Sequence, residues 1–154
     1  MLPVLLVALS LSAGDAAPPL NSLELLNGTA VPRNTPTVIE FWATWCGPCV
    51  EQIPRWNALA QKFSGRAQFV AVSAEDPETV TEFLKKRPMA GSVALDLDGV
   101  VHKSYGVETI PRTFLVDARG VVRAVTTLSA LRDADLEALV AGRTFRPPPP
   151  PGSG

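Results

Sequence analysis

The chain is poor in the residues that hold metals and staple small folds. Its 154 residues include one histidine and two cysteines. Two cysteines cannot build a disulfide framework, and a bridge across so short a loop constrains the unfolded chain little. A structural zinc site wants four ligands, and only His102 is available beside the two thiols. Charge of one sign is also missing. The formal net charge is −1, and Lys85-Lys86-Arg87 is too short to make a basic run, which excludes a nucleic-acid binder held by electrostatics. The apolar run Leu2–Ala13 would span roughly 18 Å as a helix against a hydrocarbon core of about 30 Å, so it is too short for a transmembrane anchor. What remains is a single domain, long enough to bury a hydrophobic core without covalent staples.

The two ends read differently from the middle. Residues 1–16 have the look of a signal peptide: an apolar run, then small residues, with Gly14 and Ala16 at the −3 and −1 positions of a cut after Ala16. No Lys or Arg precedes that run, and the first basic residue is Arg33. Export to an extracytoplasmic compartment is the expectation. The alternative is a cytoplasmic protein whose apolar N-terminal segment packs on its own domain. Residues 146–154 hold Pro147–Pro151 followed by Gly-Ser-Gly, an extended polyproline tail with a solvated backbone. The folded domain is expected over residues 20–145.

The chemistry concentrates in Phe41-Trp42-Ala43-Thr44-Trp45-Cys46-Gly47-Pro48-Cys49, which holds both cysteines. A β-type run enters it and a helical pattern leaves it. A cysteine at a helix start faces the positive end of the dipole and unpaired N–H groups, which favour thiolate over thiol. The second cysteine, one helical turn on, can attack a mixed disulfide formed at the first. Gly47 and Pro48 permit the tight entry, since proline is tolerated in a first turn. These features point to a reversible dithiol–disulfide couple. A Cu(I)-binding dithiol is the competing chemistry, because thiolates select soft metals. Met89, distant in sequence, is a poor further ligand.

Around this motif the apolar pattern alternates strand and helix. Ser22–Leu26 and Thr29–Val31, joined by Asn27-Gly28, read as an N-terminal hairpin. Thr37–Trp42 and Ala67–Ser73 read as strands. Cys49–Phe63 reads as a helix kinked at Pro54, with Ile53, Trp56, Leu59, Ala60 and Phe63 on one face. Pro77–Arg87 is a second helix, with Glu75 and Asp76 placed to cap it. Ser92–Leu97 is a short strand, and Val101–Tyr105 a helical turn in which His102 is expected exposed and without a partner. Thr113–Val116 and Val121–Thr126 form a hairpin, and Asp133–Ala141 a last helix. This is an α/β arrangement, a central mixed sheet with helices on both faces.

Four features at consistent spacing carry a resemblance over roughly Leu23–Val140. They are Val38-Ile39-Glu40-Phe41-Trp42, Trp45-Cys46-Gly47-Pro48-Cys49, Pro54, and Ile110-Pro111-Arg112-Thr113-Phe114-Leu115-Val116-Asp117. Together they resemble the thioredoxin superfamily, and within it the exported TlpA/ResA/DsbE-like thiol–disulfide oxidoreductases. One place departs: several TlpA-like proteins carry a glutamate where this chain has Gln52.

The resemblance implies a thioredoxin-like fold and an extracytoplasmic reductant of protein disulfides, with a cytosolic thioredoxin-like reductase as the alternative. Cys46 would be the exposed nucleophile and Cys49 the buried resolving thiol. A Cys46 pKa near 7, as in thioredoxin, would raise the thiolate fraction at pH 7 about fifteenfold over a free thiol. Falling basicity returns about fivefold of that gain. Glu40 would be a buried proton acceptor for Cys49, and Pro111 the cis-proline beside the dithiol. Substrate contacts would come from Trp45, Gly47, Pro48, the Ile110 backbone and Arg112. No cofactor beyond the Cys46–Cys49 disulfide and no metal is implied. The expected partners are protein disulfides or dithiols and a membrane thiol electron donor, with no nucleic acid, and the protein is expected to be a monomer.

Overall fold

The computed structural model describes residues 11–29 and 34–146. Met1–Ser10 and Pro147–Gly154, the bulk of the expected leader and tail, lie outside the described residues. The β-branched and aromatic runs form strands β1 (Glu24–Asn27), β2 (Thr37–Phe41), β3 (Gln68–Ser73), β4 (Ser92–Leu95), β5 (Arg112–Val116) and β6 (Val122–Thr126). Between and after them lie helices α1 (Gly47–Glu51), α2 (Ile53–Lys62), α3 (Pro77–Lys86), α4 (Val100–Ser104) and α5 (Asp133–Val140). The strands make one mixed sheet in the order β1-β4-β3-β2-β5-β6. Strands β2, β3 and β4 run parallel, as their helical crossovers require. Strand β5 pairs antiparallel with β2 and with β6, and β1 pairs antiparallel with β4.

The first half of the expected N-terminal hairpin is β1, but its partner among the described residues is β4, with Leu25 opposite Ala94. The reason lies in the next residues. Ser92 Oγ donates to the Thr29 carbonyl at 2.7 Å, and Val93 N–H donates to Asn27 Oδ1 at 3.0 Å, so residues 27–29 are held against β4. The expected return strand Thr29–Val31 lies outside the described residues from Ala30 on.

The expected single kinked helix is two helices that meet at Gln52, and it starts at Gly47 rather than Cys49. Pro54 has no N–H to give to the preceding turn, so the ladder is interrupted there. It resumes where Trp56 N–H donates to the Gln52 carbonyl at 2.9 Å.

Side chains alternate across the sheet and define two cores. Val38, Trp42, Leu115 and Ala124 face α1, α2, α3 and α5, where Trp56, Leu59, Val80, Leu136 and Leu139 are buried. Ile39, Phe41, Val70, Phe114 and Val122 face the other way, against Val101 and Tyr105 of the α4 region. Tyr105 also donates its hydroxyl to the Pro18 carbonyl at 2.7 Å, pinning the N-terminal segment over this second core. That segment continues to the sheet border, where Gly14 N–H and Ala17 N–H donate to the carbonyls of Val122 and Gly120 and Val122 N–H donates to Asp15. The expected cleavage position after Ala16 therefore falls inside a stretch hydrogen-bonded beside β6.

Candidate active site

Strand β2 delivers the chain to the carboxyl edge of the parallel strands, and there the two cysteines are joined as a disulfide. A turn closed by Cys46 N–H donating to the Ala43 carbonyl at 3.2 Å sets Cys46 at the N-cap of α1. Its Sγ accepts from Cys49 N–H at 3.3 Å, one of the donors a helix start leaves without an intrahelical partner. The expectation of an exposed Cys46 beside a buried Cys49 is corrected: both are 5% exposed in the disulfide form. Cys46 is covered from the other side, where its Sγ lies 4.0 Å from the Ile110 carbonyl oxygen. The Ile110–Pro111 peptide bond is cis. The dithiol motif and the Ile110-Pro111 loop, 64 residues apart in sequence, thus face each other.

Trp45 is 75% exposed, whereas Trp42 and Trp56 are core residues. Leu97 and Val100, 52% and 51% exposed, follow β4. Gly47 and Pro48 are exposed at the helix start. Arg112 is half-buried and donates to Thr109 Oγ1 at 2.9 Å, within its own loop.

Glu40 points from β2 into the helix-side core, the face it shares with Val38 and Trp42 and into which both cysteines are packed. Its carboxyl accepts from the hydroxyl of Thr113, its cross-strand neighbour on β5. Burial pushes the Glu40 carboxyl up to about 8, and the Thr113 hydrogen bond only partly opposes this.

Two acids and the histidine behave differently from their sequence reading. Asp76 does cap α3, accepting from Thr79 N–H at 2.9 Å. Glu75 does not; it turns to the dithiol loop, accepting from Thr44 N–H at 2.7 Å and from the Thr44 hydroxyl at 2.6 Å. His102 is neither exposed nor unpartnered. Its Nδ1 lies 2.7 Å from Asp96 Oδ2, and its ring stands edge-on to Phe41 at 4.8 Å. Asp96 is buried, and burial alone would raise its pKa. The N–H groups of His102 and Val101 and the His102 ring outweigh that and hold it below the usual carboxylate range. Among the described residues no three His, Cys, Asp or Glu side chains converge on a point where a metal ion could sit.

A mixed sheet with a Cys-Gly-Pro-Cys disulfide at the end of a central strand, facing a cis-proline loop, defines a thioredoxin-like protein. The chain belongs to the AhpC/TSA family, whose sequence model matches residues 14–125. It is 35% identical over 86 residues to the thiol-disulfide oxidoreductase ResA of Bacillus thuringiensis subsp. konkukian, covering 54% of this chain and 50% of that one. It is 29% identical over 91 residues to sporulation thiol-disulfide oxidoreductase A of Bacillus subtilis, covering 56% and 55%. The chain thus spans about half the length of these relatives. Among solved structures it resembles a Chlorobium tepidum protein described as a thiol:disulfide interchange protein DsbE. That likeness has a TM-score of 0.68 and 31% identity over 86% of this chain and 98% of that one.

Proposed function

We propose that this protein is a thiol–disulfide oxidoreductase that reduces disulfides in other polypeptides through Cys46 and Cys49. The observation that carries the reading is the Cys46–Cys49 disulfide, set at a helix start and faced by the Ile110-Pro111 loop. In the reduced protein the Cys46 thiolate attacks one sulfur of a substrate disulfide. A mixed disulfide forms and one substrate thiolate leaves. Cys49 then gives its proton to Glu40 in the molecules whose Glu40 carboxyl, raised to about 8, is ionised, and its thiolate attacks Cys46 Sγ. The second substrate thiolate leaves, the Cys46–Cys49 bond forms, and two electrons have passed to the substrate. Cys49 N–H, already directed at Cys46 Sγ, stabilises Cys46 as the attacking thiolate.

The exposed Trp45 next to Cys46 favours a polypeptide over a small thiol as substrate, with further contacts proposed from the Ile110 backbone, Gly47, Pro48 and Arg112. The direction of electron flow rests on the Gly-Pro dipeptide between the cysteines, which thioredoxin shares at about −270 mV. The apolar start at Leu2–Ala13 and the TlpA-like resemblance support work outside the cytoplasm, with recharging by a membrane thiol carrier. The equilibrium potential of the Cys46–Cys49 pair in defined thiol buffers tests the direction. A value near or below about −250 mV supports a reductant, and one above about −150 mV overturns it. Trapping a mixed disulfide with Cys49→Ser, but not with Cys46→Ser, tests the assignment of nucleophile.

A further inference from the structure

Beyond the dithiol and the cis-proline loop, one half-buried polar cluster adjoins the site without belonging to it. Parallel pairing of β2 with β3 ends at Phe41 opposite Val72, and Trp42 N–H still donates to the Val72 carbonyl at 3.1 Å. The two chains then leave the sheet side by side, residues 43–46 from β2 and residues 73–75 from β3. Across this gap Glu75 Oε1 accepts from Thr44 N–H at 2.7 Å, and Oε2 accepts from the Thr44 hydroxyl at 2.6 Å. Oε1 also accepts from the Ser73 hydroxyl at 2.9 Å, and Ser73 Oγ in turn accepts from Glu75 N–H at 3.1 Å. Glu75 is thereby fixed from behind as well as in front.

Thr44 lies inside the turn that sets Cys46 at the helix start. In the turn closed by Cys46 N–H and the Ala43 carbonyl, Thr44 is the second residue, and its own N–H finds no acceptor within the turn. The Glu75 carboxyl supplies that acceptor and holds the side chain at the same time. Helix α3 does not need Glu75, because Asp76 caps it with bonds to both the N–H and the hydroxyl of Thr79.

We infer that Glu75 is a positioning residue for the redox reaction: it clamps the turn at residues 43–46 so that Cys46 Sγ stays aligned with the Cys49 N–H. The inference rests on the proposal that Cys46 is the nucleophile. Without the clamp the turn relaxes, the sulfur drifts from its donor, and the Cys46 thiolate loses stabilisation. Removal of a carboxyl group also removes negative charge near the site, which by itself pushes the Cys46 titration the other way. The two effects have opposite signs and can be told apart.

The test is the titration of Cys46 as the sole thiol, in the full chain carrying Cys49→Ser, which keeps the backbone N–H at residue 49. Thiolate absorbance and alkylation rate are followed against pH with every variant shown to be folded. Glu75→Ala is expected to raise the midpoint by about half to one pH unit, the size expected when a hydrogen bond to a charged sulfur weakens. Glu75→Gln, which retains a carbonyl acceptor for Thr44 N–H, is expected to return at least half of that shift. An unmoved midpoint in Glu75→Ala, or an equal downward shift in both variants, overturns the inference. If Glu75→Ala does not fold, the Thr44→Val, Ser73→Ala double variant removes two of the three hydrogen bonds donated to the carboxyl and carries the same expectation. Which cysteine is alkylated first in the reduced protein with both thiols is read separately by mass spectrometry. That result decides the nucleophile without bearing on the clamp.

Discussion

The carboxyl of Glu40 accepts a hydrogen bond from the hydroxyl of Thr113 at 2.5 Å, between two side chains that are both buried. A carboxyl raised from 4.5 to about 8 is protonated in the folded protein over a range where the unfolded chain has already ionised it. Between those values the folded state binds more protons, so its stability falls as pH rises, by up to about 1.4 kcal/mol per pH unit. Unfolding of the oxidised protein in urea, repeated from pH 4.5 to 8, should show that decline. Glu40→Gln, neutral throughout, should flatten it. The same variant should slow release of the second substrate thiolate, because Cys49 loses its proton acceptor.

Asp96 should give the opposite slope. Its pKa is depressed in the folded state, so its contribution is present above the ordinary carboxylate pKa and is lost as pH falls through the lower folded value. Asp96→Asn should remove acid sensitivity in that region at a cost of about 1–3 kcal/mol near neutrality, since the N–H of Val101 and the N–H and ring of His102 lose a charged acceptor. Denaturant midpoints of the variant at acid and neutral pH check both signs.

Trp45 presents three-quarters of its surface to solvent, so Trp45→Ala should change stability by no more than about 0.5 kcal/mol. Its effect should appear in turnover of a protein disulfide, as a rise in KM of roughly tenfold, the scale of an exposed aromatic contact residue. Reduction of a small aliphatic disulfide by the same variant should suffer much less.

Gly91 takes a φ of +77°, and a Cβ there would lie 2.6 Å from the Phe69 carbonyl oxygen. Gly91→Ala should therefore cost about 2 kcal/mol or more, from the left-handed backbone and a clash with main chain that cannot swing aside. Gly120→Ala keeps the left-handed penalty, but nothing lies within 4 Å of its Cβ, so it should be milder. Thermal melts of the two variants measure the difference.

Much of the architecture was legible because it is written in local patterns. Thr37–Phe41, Gln68–Ser73 and the hairpin at Asp117–Gly120 follow from β-branched runs and turn residues, and the helices from apolar spacing. The dithiol was legible from two cysteines at a helix start, and the cis-proline only through family resemblance. Interactions that join distant segments were hidden. Glu75 sits where an acid ahead of Pro77 would cap a helix, yet its partner Thr44 is 31 residues away. Asn27-Gly28 carries a hairpin signal, but Val93 N–H takes the Asn27 side chain and the Ser92 hydroxyl takes the Thr29 carbonyl, which holds the segment on β4. The burial of Cys46 depends on the carbonyl of Ile110, which helix-start reasoning cannot see.

The pairing of residues 14–17 with β6 has a consequence for what the protein presents to its surroundings. An uncovered sheet border presents unpaired N–H and carbonyl groups to any strand in search of a partner. Here Gly14 and Asp15 occupy the carbonyl and N–H of Val122, and Ala17 occupies the carbonyl of Gly120. A cut after Ala16 would remove the bonds to Val122 and leave its donor and acceptor turned outward. The short N-terminal strip thus covers the start of that border, and its removal would uncover it.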